Sequence, residues 1–212
     1  MSRAWMKFET ALMLAAVDRV PALVDVLDSL RAESSTSPAD RSELRSVVLS
    51  ELARLDSRYL DEARDAIVEA EANGRSGWPN YYLGESLIAL SAYAEGLGHL
   101  LRIPRGFFEE RDLKWRAVRV QELEALANLE LQRFSAAARL VDEVVAALAL
   151  SGDEDDLAPP RDLVESLLRQ SMEPNAEAAL TMLATVAASI DLAEWFDPEM
   201  ASRVQIALSG AL

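Results

Sequence analysis

The feature that most constrains this chain is a recurring pair, in which a small residue follows an aromatic residue by three or four positions inside a long helical pattern. The pairs are Tyr59 with Ala63, Tyr93 with Gly96, and Phe134 with Ala137. Successive aromatic positions are 34 and 41 residues apart. A repeat of this length is typical of helical hairpins that stack side by side. The spacing therefore predicts a stack of hairpins, an architecture that usually presents a surface to another protein.

The composition favours helices throughout the chain. Half of the 212 residues are hydrophobic, whereas glycine and proline number only eight each. Leucine and alanine dominate, and strand-forming residues never alternate for long. We predict an all-α fold of antiparallel helical hairpins stacked as a short α-solenoid, with a compact helical bundle as the alternative. One domain over residues 1–212 is expected, with a polar linker near 32–42 and an acidic loop near 151–160.

The helix boundaries are indicated by proline and by capping residues. The first helix is expected from about Arg3 to Arg19, and Pro21 is expected to begin the second, because its missing N–H is harmless in a first turn. Ser37 followed by Pro38 predicts a capped start for a later helix. Apolar residues near the two chain ends are expected either to cap the stack or to join two copies into a homo-oligomer. They include Trp5, Phe8, Ile206 and Leu208.

The net charge of −15 bears on the class of partner. Strong negative charge repels phosphate groups, so neither nucleic acid nor an anionic membrane surface is an expected partner. Cysteine is absent, which excludes disulfides, thiolate zinc sites and a thiol nucleophile. The apolar stretch from Ala11 to Val17 is short for a signal peptide and fits an amphipathic helix better. A cytoplasmic protein is the expectation.

The residues from 82 to 104 resemble a tetratricopeptide repeat. Leu83 and Gly84 match the Leu-Gly pair of that motif's first helix, Tyr93 matches its aromatic residue at the start of the second helix, and Gly96 takes the small-residue place. Pro104 comes sooner than the family's closing proline. In physical terms, the small residues let the two helices approach closely while the aromatic fills the gap beside them.

The stretch from 125 to 148 resembles the same motif. Ala125 and Ala127 are small residues of a first helix, and Phe134 with Ala137 repeats the aromatic and small pair, although the Leu-Gly pair is missing. The resemblance covers roughly half of the chain and suits a divergent array. It implies that a protein or peptide partner binds in a concave groove, and it implies no catalytic chemistry.

No residue pattern supports an enzyme, a metal site or a cofactor. His99 is the only histidine, and Glu95 lies one helical turn before it, but no second histidine or cysteine completes a zinc site. A serine hydrolase elbow and a glycine-rich phosphate loop are both absent. We therefore expect His99 to be a structural residue and the protein to be a non-enzymatic adaptor or scaffold.

One locally basic segment stands out in this acidic chain and is the first candidate for partner binding. Exposed arginine and aromatic side chains are favoured as interface anchors. Its arginines are Arg102, Arg105, Arg111, Arg116 and Arg119, joined by Lys114, and the aromatic residues Phe107, Phe108 and Trp115 lie between them. In the alternative interpretation, the aromatic residues fill the core beneath a long connection and the arginines pair with neighbouring acids.

The second candidate is the acidic loop that carries Asp153, Glu154, Asp155 and Asp156. Its residues do not alternate as the ligands of a calcium loop do, so a solvated loop is the simpler interpretation. From Leu150 onward the chain has twelve acidic residues and three arginines, a net charge of −9. This part favours a basic partner. The alternative function is therefore an acidic inhibitor or immunity-type protein that masks a basic active site by imitating the charge of a nucleic acid.

Overall fold

The structure is a computed structural model, which describes residues 3–32, 36–150, 160–173 and 176–210. In these ranges every regular element is a helix and no strand occurs. The predicted all-α class is therefore confirmed. Contacts divide the chain into two compact units, Met1–Phe107 and Phe108–Leu212, each described by itself below. The prediction of a single domain stays a prediction.

The first unit contains three pairs of consecutive helices. They are α1 (Arg3–Leu12) with α2 (Ala16–Ala32), α3 (Pro38–Leu55) with α4 (Leu60–Ala72), and α5 (Gly77–Ala89) with α6 (Tyr93–Leu100). Ser37 caps α3 as predicted, because its hydroxyl accepts a hydrogen bond from the backbone N–H of Asp40 at 3.1 Å. The polar linker thus connects Ala32 to Pro38, and its residues 33–35 lie outside the described ranges.

The predicted boundary between the first two helices is wrong. The chain turns at residues 13–15, and α2 begins at Ala16 with Pro21 inside it. The side chain of Arg19 stabilises the early turn, because its guanidinium donates to the carbonyl oxygen of Leu14 at 2.9 Å. This contact gives a carbonyl group in the turn between α1 and α2 a hydrogen-bond partner.

The second unit contains two further hairpins and a closing helix. The helices are α7 (Lys114–Glu130), α8 (Phe134–Leu150), α9 (Arg161–Gln170), α10 (Glu177–Ser189), the short α11 (Leu192–Trp195) and α12 (Pro198–Ser209). Helix α7 packs on α8 and on α9, while α10 packs on α8, α9 and α12. Asp197 caps α12 by accepting from the N–H of Met200 at 2.9 Å, and Pro198 occupies the first turn of the helix.

Two hairpin turns repeat the same geometry 41 residues apart. Ser91 and Gln132 both have positive φ, at 62° and 58°. In the first turn the N–H of Ala92 donates to the carbonyl oxygen of Leu87 at 2.8 Å, and Arg133 makes the same bond to Asn128 in the second. These are helix-ending turns of the Schellman type. In each hairpin, α6 or α8 then begins directly at the aromatic residue that the sequence singles out.

Helices α5 and α6 cross at two glycines. A Cβ atom at position 96 would lie 2.9 Å from the carbonyl oxygen of Gly84 and 3.2 Å from the backbone nitrogen of Ile88. Since neither of these backbone atoms can move easily, only glycine permits this distance between the helices. In the α7–α8 hairpin, Ala125 and Ala137 occupy the positions 41 residues further on, and both are fully buried. The close approach expected of a hairpin with two small residues is thus observed between α5 and α6.

The first unit is layered, with α3 and α5 in the middle. Helix α3 packs on α4 and α5, and α5 packs on α6. The hydroxyl of Ser86 in α5 donates to the carbonyl oxygen of Ser50 in α3 at 2.8 Å, which joins the two middle helices. Helices α1 and α2 lie against the remaining side, since α2 packs on α3 and the ring of Phe8 meets that of Tyr82 in α5 at 5.6 Å between centroids.

The glycine crossing is tested by two alanine substitutions in the same helix. Gly96→Ala forces backbone apart and should lower the free energy of unfolding by about 1–3 kcal/mol. Gly98→Ala is the matched control, because a Cβ atom there has no neighbour within 4 Å. It should instead raise stability by roughly 0.5–1 kcal/mol, since alanine is the better helix former. Urea unfolding of both variants measures the difference, and equal effects would contradict the crossing.

Candidate functional site

Phe107, the last residue of the first unit, packs inward. A Cβ atom at Gly77 would fall only 2.1 Å from the nearest carbon of its ring, so the ring occupies the space that glycine leaves. The ring also lies edge-on to Trp78, with 6.0 Å between centroids. Arg105, two residues earlier, is exposed. The packing of Phe107 fits the interpretation that this aromatic residue fills the core.

Phe108, the first residue of the second unit, is also packed. It is only 2% exposed, so its ring offers no accessible surface to a partner in this structure. The N–H groups of Arg111 and Leu113 both donate to its carbonyl oxygen, at 3.1 and 2.9 Å, and this closes the turn that precedes α7. Arg111 itself is exposed.

Trp115 is the aromatic residue of the basic segment that stays on the surface. It lies in the first turn of α7 and is 37% exposed. The guanidinium of Arg116 lies over its indole at 4.1 Å from the ring centroid. This is cation–π geometry, which at an exposed site contributes roughly 0.5–1 kcal/mol and orients both side chains. Together they form a large, ordered side-chain pair of the kind that anchors protein interfaces.

Arg119 connects α7 to α9. Its guanidinium lies 3.0 Å from a carboxylate oxygen of Asp162 in α9 and 2.8 Å from one of Glu122 in α7. The side chain of Arg119 is 25% exposed, and that of Asp162 is 57% exposed. This pairing follows the alternative in which the arginines of the segment bind neighbouring acids, although the acid comes from another hairpin.

Glu130 makes the matching connection at the other end of α7. Its carboxylate accepts from the hydroxyl of Ser166 and from the guanidinium of Arg169, both in α9. The side-chain amide of Gln170 adds a bond to the carbonyl oxygen of Leu129 at 3.2 Å. The ion pairs near the two ends of α7 thus have opposite polarity. The basic residue belongs to α7 in the first pair and to α9 in the second.

These contacts define the α7–α9 face, formed by Trp115, Arg119, Glu130, Asp162 and Arg169. Arg119 and Glu130 are eleven residues apart, which is three helical turns, and so lie on one side of α7. The side toward α8 carries other residues, as the 3.3 Å bond from Gln121 to Glu143 shows. Sequence reasoning found Trp115 and Arg119 but missed the other three. The helical spacing of these three residues was the only signal in the sequence, because the ion pairs between α7 and α9 join residues that lie dozens of positions apart.

The acidic run Asp153, Glu154, Asp155 and Asp156 lies outside the described residues, so its predicted contact with a partner stays a prediction. Near it in the described part of the chain, Asp162 and Glu165 at the start of α9 are both exposed. Glu165 pairs with Arg161 at 3.1 Å.

His99 has a structural contact, as its sequence context suggests. Its Nδ1 lies 2.7 Å from Oδ1 of Asn80, in α5. The amide nitrogen of Asn80 already donates to Glu71 and to the carbonyl oxygen of Ser76, so Oδ1 must accept and Nδ1 of His99 must carry the hydrogen. Glu95, one turn earlier, instead binds Arg64 of α4 through both carboxylate oxygens, at 2.8 and 2.7 Å.

Two classes of site receive no support in the described ranges. No group of three or more potential ligand side chains is close enough to hold a metal ion. No helix of these ranges combines the length and apolar character that crossing a membrane requires.

Comparison with known proteins found no match: no family model, no curated protein and no solved structure matches the chain. The likeness to tetratricopeptide repeats therefore depends on the residues of the two motifs alone.

The contact of His99 predicts a pH dependence of stability. Burial lowers the pKa of His99 below its ordinary value of 6.5, and Arg102 lowers it further, while Glu95 and Glu71 act in the opposite direction. The unfolded chain then takes up a proton before the folded one, so the free energy of unfolding should fall as the pH drops below about 6.5.

The variant His99→Asn isolates this effect, since an amide can still donate to Asn80 but cannot ionise. Urea unfolding between pH 7.5 and pH 5 should show a smaller loss of stability for the variant than for the wild type. Burial raises the pKa of Glu124, but this residue titrates in both proteins and cancels in the comparison. If the free energy of unfolding of both proteins changed equally with pH, the buried contact of His99 would be contradicted.

Proposed function

We propose that this protein is a non-enzymatic interaction module with tetratricopeptide-like hairpins, which binds a protein or peptide partner on α7 and α9, the first helices of the two hairpins in its second unit. The observation that carries the proposal is the repeated hairpin. The α5–α6 and α7–α8 pairs share the same positive-φ turn and the same aromatic start of the second helix at a constant offset. They also place small buried residues at the same positions. Repeats of this kind generate extended binding surfaces.

The α7–α9 face is the part of the described surface that best suits such a partner. It offers an exposed indole and two ion pairs between α7 and α9. Helix α7 supplies the basic residue of one pair and the acidic residue of the other. Aromatic and arginine side chains supply most of the binding energy in interfaces, whereas ordered charges select the partner. Of the residues expected to bind, Trp115, Arg116 and Arg119 keep this role, and Arg105 and Arg111 are exposed neighbours along the chain. The protein is proposed to be cytoplasmic and to work without a cofactor.

A second candidate function is supported by the charge of the chain. The exposed acids of the C-terminal part include Glu173, Glu177, Asp191, Glu194 and Glu199. A protein with so much unbalanced negative charge is suited to cover the basic active site of a nuclease-like target. Such a complex would be held by long-range attraction and would weaken steeply with salt.

The proposal is tested by the double variant Trp115→Ala/Arg116→Glu. Capture of partner proteins from a lysate of the source organism should fall at least about tenfold, because the variant loses the proposed aromatic anchor and reverses the charge above it. Arg203→Glu is the matched control. It makes the same charge change on the exposed surface of α12 and should leave capture unchanged. Circular dichroism checks that all three proteins remain helical.

Elution with a salt gradient separates the two candidate functions. A partner that stays bound at high salt and is lost in the double variant supports the hairpin interface. A basic partner that is released at modest salt and captured equally by all variants would support the acidic inhibitor and contradict the hairpin interface.

A further inference from the structure

The α1–α2 hairpin covers one side of the α3–α5 layer instead of extending the stack. On α5, Asn80 and Gly84 contact α6, through His99 and Gly96. Tyr82 lies between them in sequence and therefore points to the opposite side of the helix, where Phe8 of α1 meets it. The α1–α2 hairpin, residues 3–32, therefore occupies the side of α5 that faces away from α6.

The contact surface of α2 is an amphipathic stripe. Arg19, Leu23, Val26 and Leu30 are spaced by four, three and four residues and so lie on one side of the helix. The three apolar side chains are at most 3% exposed, and Arg19 forms an ion pair with Glu51 of α3 at 3.2 Å. This arrangement is a helix laid on a helical surface, with apolar anchors and one arginine that fixes its register.

The buried carboxylate of Glu51 does not depend on the hairpin. It is 3% exposed, and losing the only partner of such a group would cost several kcal/mol. Arg54 of the same helix also binds it, with Nε 3.0 Å from one oxygen and a second nitrogen on the other oxygen. If Arg19 leaves, Glu51 therefore keeps a bidentate ion pair.

The buried serines of the layer are satisfied in the same way. The hydroxyl of Ser46 donates to the carbonyl oxygen of Glu43, and that of Ser50 donates to Ser46, both within α3. The hydroxyl of Ser86 lies 2.7 Å from the carbonyl oxygen of Tyr82 and 2.8 Å from that of Ser50, so its single hydrogen has an acceptor within the layer. Removing α1 and α2 would thus expose apolar surface but would leave each of these polar groups with a partner within α3–α6.

We propose that the α1–α2 hairpin is a releasable cover, and that the exposed side of α3 and α5 binds in its place an amphipathic helix of a protein partner. The partner's helix carries the chemistry of α2, an arginine that reaches Glu51 followed by apolar residues four, seven and eleven positions later. Only molecules in which the cover is open can bind the partner. The apparent affinity is therefore the intrinsic affinity multiplied by the fraction of open molecules. This inference rests on the proposed interaction function and gives it a second surface with a defined ligand.

The probe for this surface is a fluorescent synthetic peptide of residues 3–32, and the receptor is the full chain. Phe8→Ala/Arg19→Ala weakens the resident hairpin while leaving α3 and α5 unaltered. Met13→Ser/Val17→Ser is the matched control, because these two side chains belong to the same hairpin but are 86% and 80% exposed. The binding of the peptide is measured by fluorescence anisotropy.

The weakened variant should bind the peptide at least about tenfold more tightly than the wild type, and the control should bind it like the wild type. A peptide with Leu23→Ser and Val26→Ser should not bind. Hydrogen exchange of the wild type should show the amides of α1 and α2 opening at least about tenfold faster than those of α3 and α5.

Two results would overturn the proposal. The first is no gain in peptide binding while the amides of α3–α6 in the weakened variant remain protected. The second is loss of that protection, since a cover that cannot be loosened without unfolding the layer is part of its core. Trp115→Ala should not alter peptide binding, so a failure here is distinguishable from a failure of the α7–α9 face.

Discussion

The arrangement of α5 and α6 depends on the close approach of two helix backbones at Gly84 and Gly96. No side chain separates the helices at this point, and Leu100 fills the space beside Gly84. The same closeness brings His99 within hydrogen-bonding distance of Asn80. At the corresponding crossing of α7 and α8, Ala125 and Ala137 place a methyl group on each helix. The two hairpins thus place small residues at equivalent positions, glycine in the first and alanine in the second.

The buried serines of α3 and the buried carboxylate of Glu51 find hydrogen-bond partners within their own helix or in an adjacent one. The serines of α3 return their hydrogen bonds to their own helix. Glu51 keeps a partner in its own helix as well as one in α2. Because an unpaired buried polar group costs about 1–3 kcal/mol, this local satisfaction limits the stability that is lost when a neighbouring helix moves away. It is the physical basis of the proposed release of α1 and α2.

The sequence was sufficient for the all-α class and for capped helix starts, because both follow from local chemistry, but it misplaced the first hairpin turn, which lies at residues 13–15. Ser37 and Asp197 cap helices through side chains three residues from their partners. The helices against which the first hairpin packs were not predictable. The apolar spacing of α2 indicates that one side of the helix is buried, but it does not indicate which helix buries it. The same limit applies to Phe107 and Phe108. Their residue type suits an interface and a core equally, and only the space above Gly77 assigns Phe107 to packing.

The α7–α9 face combines two kinds of group with different consequences for binding. Its ion pairs are already formed in the free protein, and partly exposed pairs of this kind contribute at most about 1 kcal/mol each to stability. A partner therefore gains little by repeating their attraction, but it must match their order, because a like charge placed against a paired carboxylate or guanidinium is repelled. The gain in affinity has to come from apolar area, which on this face belongs to the indole of Trp115. In the proposed interface, the paired charges would therefore exclude wrong partners, and the indole of Trp115 would supply the binding energy for the right one.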